Sequence, residues 1–111
     1  MKHVIRPAGK DDIIRQFRHY LLQDALDAAT RFLDAADESI EALCKMPHTG
    51  APKQLKNQTL SGLRFWAVKG FEDILIFYIV QSDVVRVVRV LHGRRDIKRI
   101  LEREKDDEAP N

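Results

Sequence analysis

Residues Ile74–Val80 (ILIFYIV) and Val84–Leu91 (VVRVVRVL), separated only by Gln81–Asp83, form the stretch that decides the fold. The first run contains only aliphatic and aromatic residues, which is typical of a central strand covered on both faces. Two strands joined by three residues must pair antiparallel, because a parallel connection needs a much longer crossover. The stretch therefore predicts the centre of an antiparallel sheet.

Two successive helices are predicted upstream of this sheet. Apolar residues recur at the helical period across residues 10–22, with Asp11 and Asp12 in the first turn, where the helix dipole favours negative charge. A second helical pattern follows almost without a gap, with Asp24 as its expected N-cap and Pro47 near its end. Its alanines allow close approach, so the two helices are expected to form a hairpin.

The remaining elements are short. His3–Arg6 predicts a first strand that is closed by Pro7, since proline cannot donate to a ladder. Residues 51–62 are polar and predict a loop, Leu63–Val68 predicts a strand, and Asp96–Arg103 predicts a short last helix.

The element order β-α-α-β-β-β-α predicts an α+β fold in which the helical hairpin packs on a small antiparallel sheet. A chain of 111 residues suits one domain, and its 44% apolar content is typical of a globular protein. We expect a single domain over residues 1–105 and a disordered acidic tail over residues 106–111, which contains Asp106-Asp107-Glu108.

Composition also excludes several classes of function. No apolar run could span a bilayer and the first residues lack a signal region, so we expect a cytoplasmic protein without a membrane partner. Cys44 is the single cysteine, and its place within a helical pattern favours a small buried residue over a nucleophile. The four histidines lie apart in the sequence, without the spacing of metal ligands. They are His3, His19, His48 and His92. We therefore expect no metal or other cofactor.

Charge is unevenly distributed along the chain. Residues 1–50 carry seven basic and eight acidic side chains, whereas residues 51–105 carry twelve basic and six acidic ones. This surplus suggests an anionic partner, either nucleic acid or an acidic peptide, although a solvated face of ordinary Lys and Arg has the same composition.

The segment Val87–Ile97 (VVRVLHGRRDI) resembles the closing motif of ParE-type toxins, a last strand that ends in Leu-His-Gly-Arg-Arg-Asp and a hydrophobic residue. Other features similar to the family pattern are Asp12, Ile14, Tyr20, Ala28–Phe32, Leu43, Pro47, Gly50, Pro52, Gly62-Leu63-Arg64 and Tyr78. The resemblance extends from residue 3 to about residue 103, which is nearly the whole chain.

This resemblance to the ParE branch of the RelE/ParE superfamily implies the toxin of a bacterial type II toxin–antitoxin system. ParE-type toxins poison DNA gyrase without a demonstrated catalytic step, so the resemblance implies gyrase as the target. It also implies a ParD-like antitoxin, whose flexible region wraps the toxin in a hetero-oligomeric complex.

RelE-type members of the same superfamily offer an alternative function, ribosome-dependent cleavage of messenger RNA. Such cleavage needs a proton-transfer group and cations for the phosphate charge. Candidate cations are Lys53, Lys56, Arg64, Arg94 and Arg95. The resemblance puts Leu101 where a RelE-type enzyme carries its tyrosine, and residues 96–111 contain neither Tyr nor His. His92 could substitute, but it belongs to the ParE-type motif and is expected to be a structural hydrogen-bonder.

We therefore assign no catalytic residue. The candidate antitoxin- or target-binding residues are Arg64, Arg86, Arg89, His92, Arg94, Arg95 and Arg99. Trp66 could anchor an interface, but its place in a strand favours the core. A third function, direct nucleic-acid binding through the basic surface, lacks a recognition element such as a helix-turn-helix.

Overall fold

The computed structural model describes residues 1–105, in which three helices pack against a five-stranded sheet. In chain order the elements are β1 (Lys2–Ile5), α1 (Pro7–Leu22), α2 (Leu26–Lys45), β2 (Ala51–Pro52), a 3₁₀ turn (Gln58–Leu60), β3 (Arg64–Val68), β4 (Phe71–Gln81), β5 (Val84–His92) and α3 (Ile97–Glu102). The predicted α+β fold and its element order are confirmed, and the predicted acidic tail lies outside the described residues.

The sheet has the strand order β1-β5-β4-β3-β2. Strands β4 and β5 pair antiparallel from Ile74 opposite His92 to Gln81 opposite Val84, as predicted from their short connection. The sheet as a whole is mixed, because β1 adds to the free edge of β5 in parallel. The two-helix crossover between β1 and the rest of the sheet permits this parallel pairing.

Both faces of the sheet are covered, so the predicted central strand is confirmed. On one face α1 and α2 pack against the sheet, and we call this the hairpin face. Its buried residues include Phe32, Ile40, Leu43, Ile76, Tyr78, Val85 and Val87. The opposite face is covered by the loop before β3 and by α3, and we call it the α3 face. Its buried residues are Leu60, Leu63, Phe77, Ile79, Val88, Leu91 and Leu101.

The structure corrects the predicted start of both long helices. Helix α1 begins at Pro7 rather than at residue 10, because proline suits the first helical position, where no N–H bond is needed. Asp11 and Asp12 therefore lie beyond the first turn, which contains no acidic residue. Asp24 is not the N-cap of α2: Ala25 takes that place without a side-chain bond, and Asp24 has a positive φ of 54° in the tight link.

A buried tyrosine fixes the end of α2 against the sheet. Tyr78 is fully buried, and its hydroxyl donates to the carbonyl of Pro47 at 2.8 Å and accepts from the N–H of Gly50 at 2.9 Å. Burial is the main cause that raises the pKa of Tyr78, and its bond with Gly50 opposes that shift. The loop after α2 is therefore positioned by a strand residue distant in sequence.

No space remains for a side chain at Gly50. A Cβ there would overlap the Tyr78 hydroxyl and would lie 2.8 Å from the carbonyl oxygen of Phe65.

Among the described residues, no helix is both long and apolar enough to cross a membrane.

We predict that Gly50→Ala lowers the free energy of unfolding by about 2 kcal/mol or more, because the methyl group overpacks the site and displaces the Tyr78 bonds. Urea denaturation would measure the change. Gly93→Ala is the matched control, since a Cβ there would lie at an ordinary 3.5 Å from Asp73 O. Equal stability of the two variants would contradict the tight packing around Tyr78.

Candidate partner-binding groove

Three adjoining grooves lie at the end of the sheet where β3 ends, β4 begins and β5 ends. The first, of about 480 Å³, is lined by Glu38, Ser39, Ala42, Trp66, Ala67, Val68, Lys69 and Glu72. The second, of about 350 Å³, is lined by Gln16, His19, Tyr20, Gly70, Phe71, Glu72, Asp73, Ile74 and His92. The third, of about 370 Å³, is lined by Arg15, Gln16, His19, His92, Arg94 and Arg95. Neighbouring grooves share lining residues, so together they form one surface, which we call the partner groove.

One end of the partner groove is apolar and centres on Trp66. The prediction that Trp66 belongs to the core is wrong, because 40% of its surface is exposed. Helix α2 packs on Val68, but beyond β3 the sheet continues only with the two-residue β2, so the indole lies uncovered beside α2. The Ser39 hydroxyl accepts the N–H of Lys69 at 3.0 Å and so joins α2 to the β3–β4 turn.

The middle of the partner groove rests on an aromatic cluster. Tyr20 of α1, Phe32 of α2 and Phe71 of β4 lie with ring centroids 5.6 to 5.9 Å apart. Rings at this distance and tilt attract each other and bring together elements far apart in sequence. The cluster therefore gives the partner groove a firm base between its two ends.

The other end of the partner groove is cationic. Arg15 and His19 come from α1, and His92, Arg94 and Arg95 come from the residues that follow β5. The Nδ1 atom of His92 accepts the N–H of Arg94 at 3.1 Å, which fixes the turn after the strand. This bond agrees with the structural role expected for His92. The other ring nitrogen of His92, Nε2, makes no hydrogen bond with residues 1–105 that would hold it away from the groove.

Four of the seven sequence-predicted binding residues lie outside the partner groove, namely Arg64, Arg86, Arg89 and Arg99. The Nη1 atom of Arg64 donates to the carbonyls of Gly50 at 2.7 Å and His48 at 3.2 Å, so Arg64 holds the loop after α2. Arg64 pairs with Tyr78, whereas His92 pairs with Ile74. Four residues of strand span about 13 Å, so Arg64 and His92 do not share one cleft.

The other predicted residues are also spread apart. Arg99 is exposed on α3, and Arg86 is half-buried on β5. Of the seven predicted residues, the structure therefore brings together only His92, Arg94 and Arg95. Sequence reasoning missed Arg15 and His19, which also line the groove. Their four-residue spacing on α1 was the available signal, because residues at this spacing share a helix face.

Arg89 has a structural role that the sequence did not reveal. Its guanidinium donates to both carboxylate oxygens of Asp12, at 2.7 and 2.8 Å, and to the carboxylate of Glu104. The main cause that raises the pKa of Arg89 is its bond with Asp12, so the guanidinium stays charged. In the isolated chain these donors are occupied, and Arg89 joins β5 to α1 and to the segment after α3.

Asp12 also accepts a hydrogen bond from a backbone N–H at the edge of β5. Strand β1 pairs with β5 only from Val84 to Val87, so it does not reach Val90. The Asp12 carboxylate accepts the N–H of Val90 at 2.9 Å in place of a strand partner. Helix α1 lies close to the sheet at Gly9, where a Cβ would lie 3.3 Å from Cγ2 of Ile5 and 3.4 Å from Val88 O.

The chemistry available near Cys44 is limited. Cys44 is buried, as predicted, and its Sγ lies 3.9 Å from Nδ1 of His3, which in turn lies 3.4 Å from the carboxylate of Glu41. Burial is the main cause that raises the pKa of Cys44, which favours the unreactive thiol. Residues 1–105 contain no group of three side chains arranged to hold a metal ion.

Comparisons with known proteins agree with this architecture. Residues 4–97 match the family model described as the ParE toxin of the type II toxin–antitoxin system parDE. Among solved structures, the chain is similar to one described as the chromosomal ParDE toxin–antitoxin system from P. aeruginosa, with a TM-score of 0.67 and 14% identity. That match covers 83% of this chain and 95% of the solved one, and at this identity it shows the fold. No curated protein matches the chain in sequence.

We predict that Asp12→Asn lowers the free energy of unfolding by about 3 kcal/mol or more, because it leaves Arg89 without its main anionic partner in a largely buried place. Chemical denaturation would measure the loss. Asp11→Asn is the matched control, since Asp11 is exposed on the same turn of α1. A similar small effect of both substitutions would show that the Asp12–Arg89 pair does not stabilise the fold.

Proposed function

The chain belongs to the ParE toxin family of type II toxin–antitoxin systems, and from this premise we propose that it inhibits DNA gyrase and is neutralised by a ParD-like antitoxin. The observation that carries the proposal is the place of Leu101. It stands where the resemblance expects the tyrosine of RelE-type nucleases, and it is fully buried against the α3 face. A leucine in that position cannot transfer a proton, which favours a toxin that acts by binding.

The shape of the partner groove supports action through protein contacts. It is an open surface whose two ends differ in chemistry, with an exposed indole at one end and three arginines at the other. Tryptophan and arginine are the side chains that most often dominate the binding energy of protein interfaces. An extended antitoxin segment with an apolar residue and, further along, acidic residues would complement both ends.

We assign the acidic part of this antitoxin segment to His92, Arg94 and Arg95. Arg99, which follows Arg95 by four residues, is exposed on α3 and is a further cation available to this acidic part. Arg64 and Arg89 are left out of this assignment, because their guanidinium groups bind groups of the chain itself. Arg86 is also left out, because it lies on β5 away from the groove.

One observation favours a second candidate function, cleavage of RNA. His19 and His92 line the same groove as Arg15, Arg94 and Arg95. Two imidazoles can serve as general base and general acid, and arginines can stabilise the charge on a phosphate in the transition state. Because Nδ1 of His92 already accepts a backbone N–H, only its Nε2 atom could take part in such a step.

We predict that reversing charge with Arg94→Glu and Arg95→Glu together weakens antitoxin binding and flattens its dependence on salt, because fewer ion pairs remain to be screened. Trp66→Ala should weaken binding without changing the salt dependence, because it removes apolar contact alone. Titration with the antitoxin encoded beside the toxin would measure both quantities.

Lys10→Glu with Arg18→Glu is the matched control for this charge reversal. Both residues are exposed on α1, and neither lines the partner groove. The control changes net charge by the same amount, so it should leave affinity nearly unchanged. Unchanged affinity and salt slope in the Arg94 and Arg95 variant would refute the assignment.

We further predict that the purified toxin inhibits supercoiling by gyrase and does not cleave ribosome-bound message. Loss of a positioned acid or base typically lowers a rate by about 10² to 10⁴, so Leu101 in place of the RelE-type tyrosine should leave only feeble cleavage. Primer extension after expression of wild type, His19→Ala and His92→Ala would detect cleavage. Site-specific cleavage that disappears in either histidine variant would favour the nuclease over the gyrase inhibitor.

A further inference from the structure

The helical hairpin carries two exposed apolar stripes. On α1, Ile14 is 47% exposed and Leu21 is 39% exposed. On α2, Leu26 is 66% exposed and Leu33 is 38% exposed. Seven residues separate the two members of each pair, which is about two turns of helix. Each helix therefore presents its pair on one side, and these side chains remain in water although the hairpin packs on the sheet.

The stripe of α2 points toward α1. Ala42 lines the groove beside Trp66, on the side of α2 that lies over β3. Leu33 precedes Ala42 by nine residues, about two and a half turns, so the two lie on opposite sides of the helix. Helix α1 lies on that opposite side, because its Asp12 binds the N–H of Val90 at the edge of β5.

The stripe of α1 points toward α2. His19 faces the cationic end of the partner groove. Leu21 follows it by two residues, and each residue turns the helix by about 100°, so the two point to nearly opposite sides. Both stripes therefore border the line along which the two helices meet, and we call this surface the apolar seam: Ile14, Leu21, Leu26 and Leu33.

The apolar seam is large enough to contribute to a stable interface. From their exposed fractions, the four side chains present roughly 400 Å² to solvent, and monomeric proteins rarely expose larger contiguous apolar patches. Each partner in a standard protein interface buries about 800 Å², of which somewhat more than half is apolar. The seam and its charged borders together match that size and composition.

The two borders of the apolar seam carry opposite charge. The exposed charged residues of α1 are mainly basic, and those of α2 are mainly acidic. Lys10 and Arg18 lie on the first border, and Asp34 and Asp37 lie on the second. Within residues 1–105, no ion pair engages any of these four. A surface that is basic along one border and acidic along the other can complement a copy of itself.

The charges on the two borders also lie at matching levels of the hairpin. The rings of Tyr20 and Phe32 are 5.9 Å apart, so these residues lie level in the two antiparallel helices. Arg18 comes two residues before Tyr20, and Asp34 comes two residues after Phe32. Because α1 and α2 run in opposite directions, Arg18 and Asp34 also lie level with each other.

We propose that the apolar seam binds a second copy of this chain, around a twofold axis parallel to the hairpin. Rotation about that axis places α1 of one copy on α2 of the other and keeps each residue at its level. Arg18 of each copy then meets Asp34 of the other, as in any self-complementary interface. A twofold axis across the hairpin would instead place α1 on α1 and α2 on α2, where like charges repel.

This dimer is independent of the proposed action on gyrase and of the proposed antitoxin contact. Arg15 and His19 point away from the apolar seam, so the partner groove stays open in both copies. The four helices of the two hairpins form a bundle with an apolar centre, a common arrangement for amphipathic helices.

Sedimentation equilibrium of the full chain tests the proposal, with a concentration-dependent dimer as the expected result. Leu26→Gln with Leu33→Gln should raise the dissociation constant of the dimer about tenfold or more, because apolar contact is lost in both copies. Val4→Thr with Met46→Gln is the matched control, since these residues are 45% and 66% exposed and lie outside the seam. A chain that stays monomeric, or equal effects of the two variants, would overturn the proposal.

Exchange of charge tests the direction of the twofold axis. Arg18→Asp alone and Asp34→Arg alone should each weaken the dimer. Mixing the two variant chains should restore association, because each altered residue then meets an opposite charge on the other chain. A pair within one hairpin could not be restored by mixing, so failure to restore association would overturn the proposed arrangement.

Titration with the neighbouring antitoxin separates the remaining occupant. The Leu26→Gln and Leu33→Gln chain should bind the antitoxin as tightly as the wild type does, because the partner groove is unchanged. A monomeric wild type whose antitoxin affinity falls in this variant would overturn the proposal, and would identify the antitoxin as the molecule that covers the apolar seam.

Discussion

The ion pair between Asp12 and Arg89 is the interaction on which the arrangement of the molecule depends. These residues come from a helix near the start of the chain and from the last strand, and their bonds at 2.7 and 2.8 Å join the two directly. The same aspartate completes the backbone bonding of β5 at Val90, where β1 no longer reaches. The same arginine holds Glu104, so it also fixes the segment after α3. One pair thus orients α1, closes a strand edge and attaches the C-terminal segment.

The cationic end of the partner groove follows from this constraint. Arg15 and His19 lie three and seven residues after Asp12 on α1, so all three side chains share one helix face. Because Asp12 is fixed beside Val90 of β5, that face continues toward the end of the strand. His92 lies two residues beyond Val90, which brings the two histidines to the same groove. The proposed binding surface is therefore built from the same helix face that carries the structural ion pair.

The sequence predicted what depends on local pattern and missed what depends on distant partners. The apolar run of β4 and the short link to β5 were sufficient to predict a buried antiparallel pair. By contrast, Arg89 was expected at a binding surface, because nothing near it in sequence indicates that Asp12 binds it across the fold. Trp66 was expected in the core, because strand alternation gives the face of a side chain but not whether a helix covers that part of the sheet. Helix boundaries were missed where Pro7 could equally end a strand or begin a helix.

The basic surplus of residues 51–105 overstates the charge that is available to a partner. Arg64 and Arg89 bind carbonyl and carboxylate groups of the chain itself, so in the isolated chain these donors are already engaged. In the proposed binding mode, recognition at the groove rests on a few cations at one end and on an exposed indole at the other. Long-range charge attraction alone would accept any acidic peptide, since it carries little geometric information. A partner that must also place an apolar residue at Trp66 is selected by the spacing between its apolar and acidic residues. Under this proposal, specificity arises from the fixed distance between the two ends of the groove, which the Asp12–Arg89 pair and the aromatic cluster maintain.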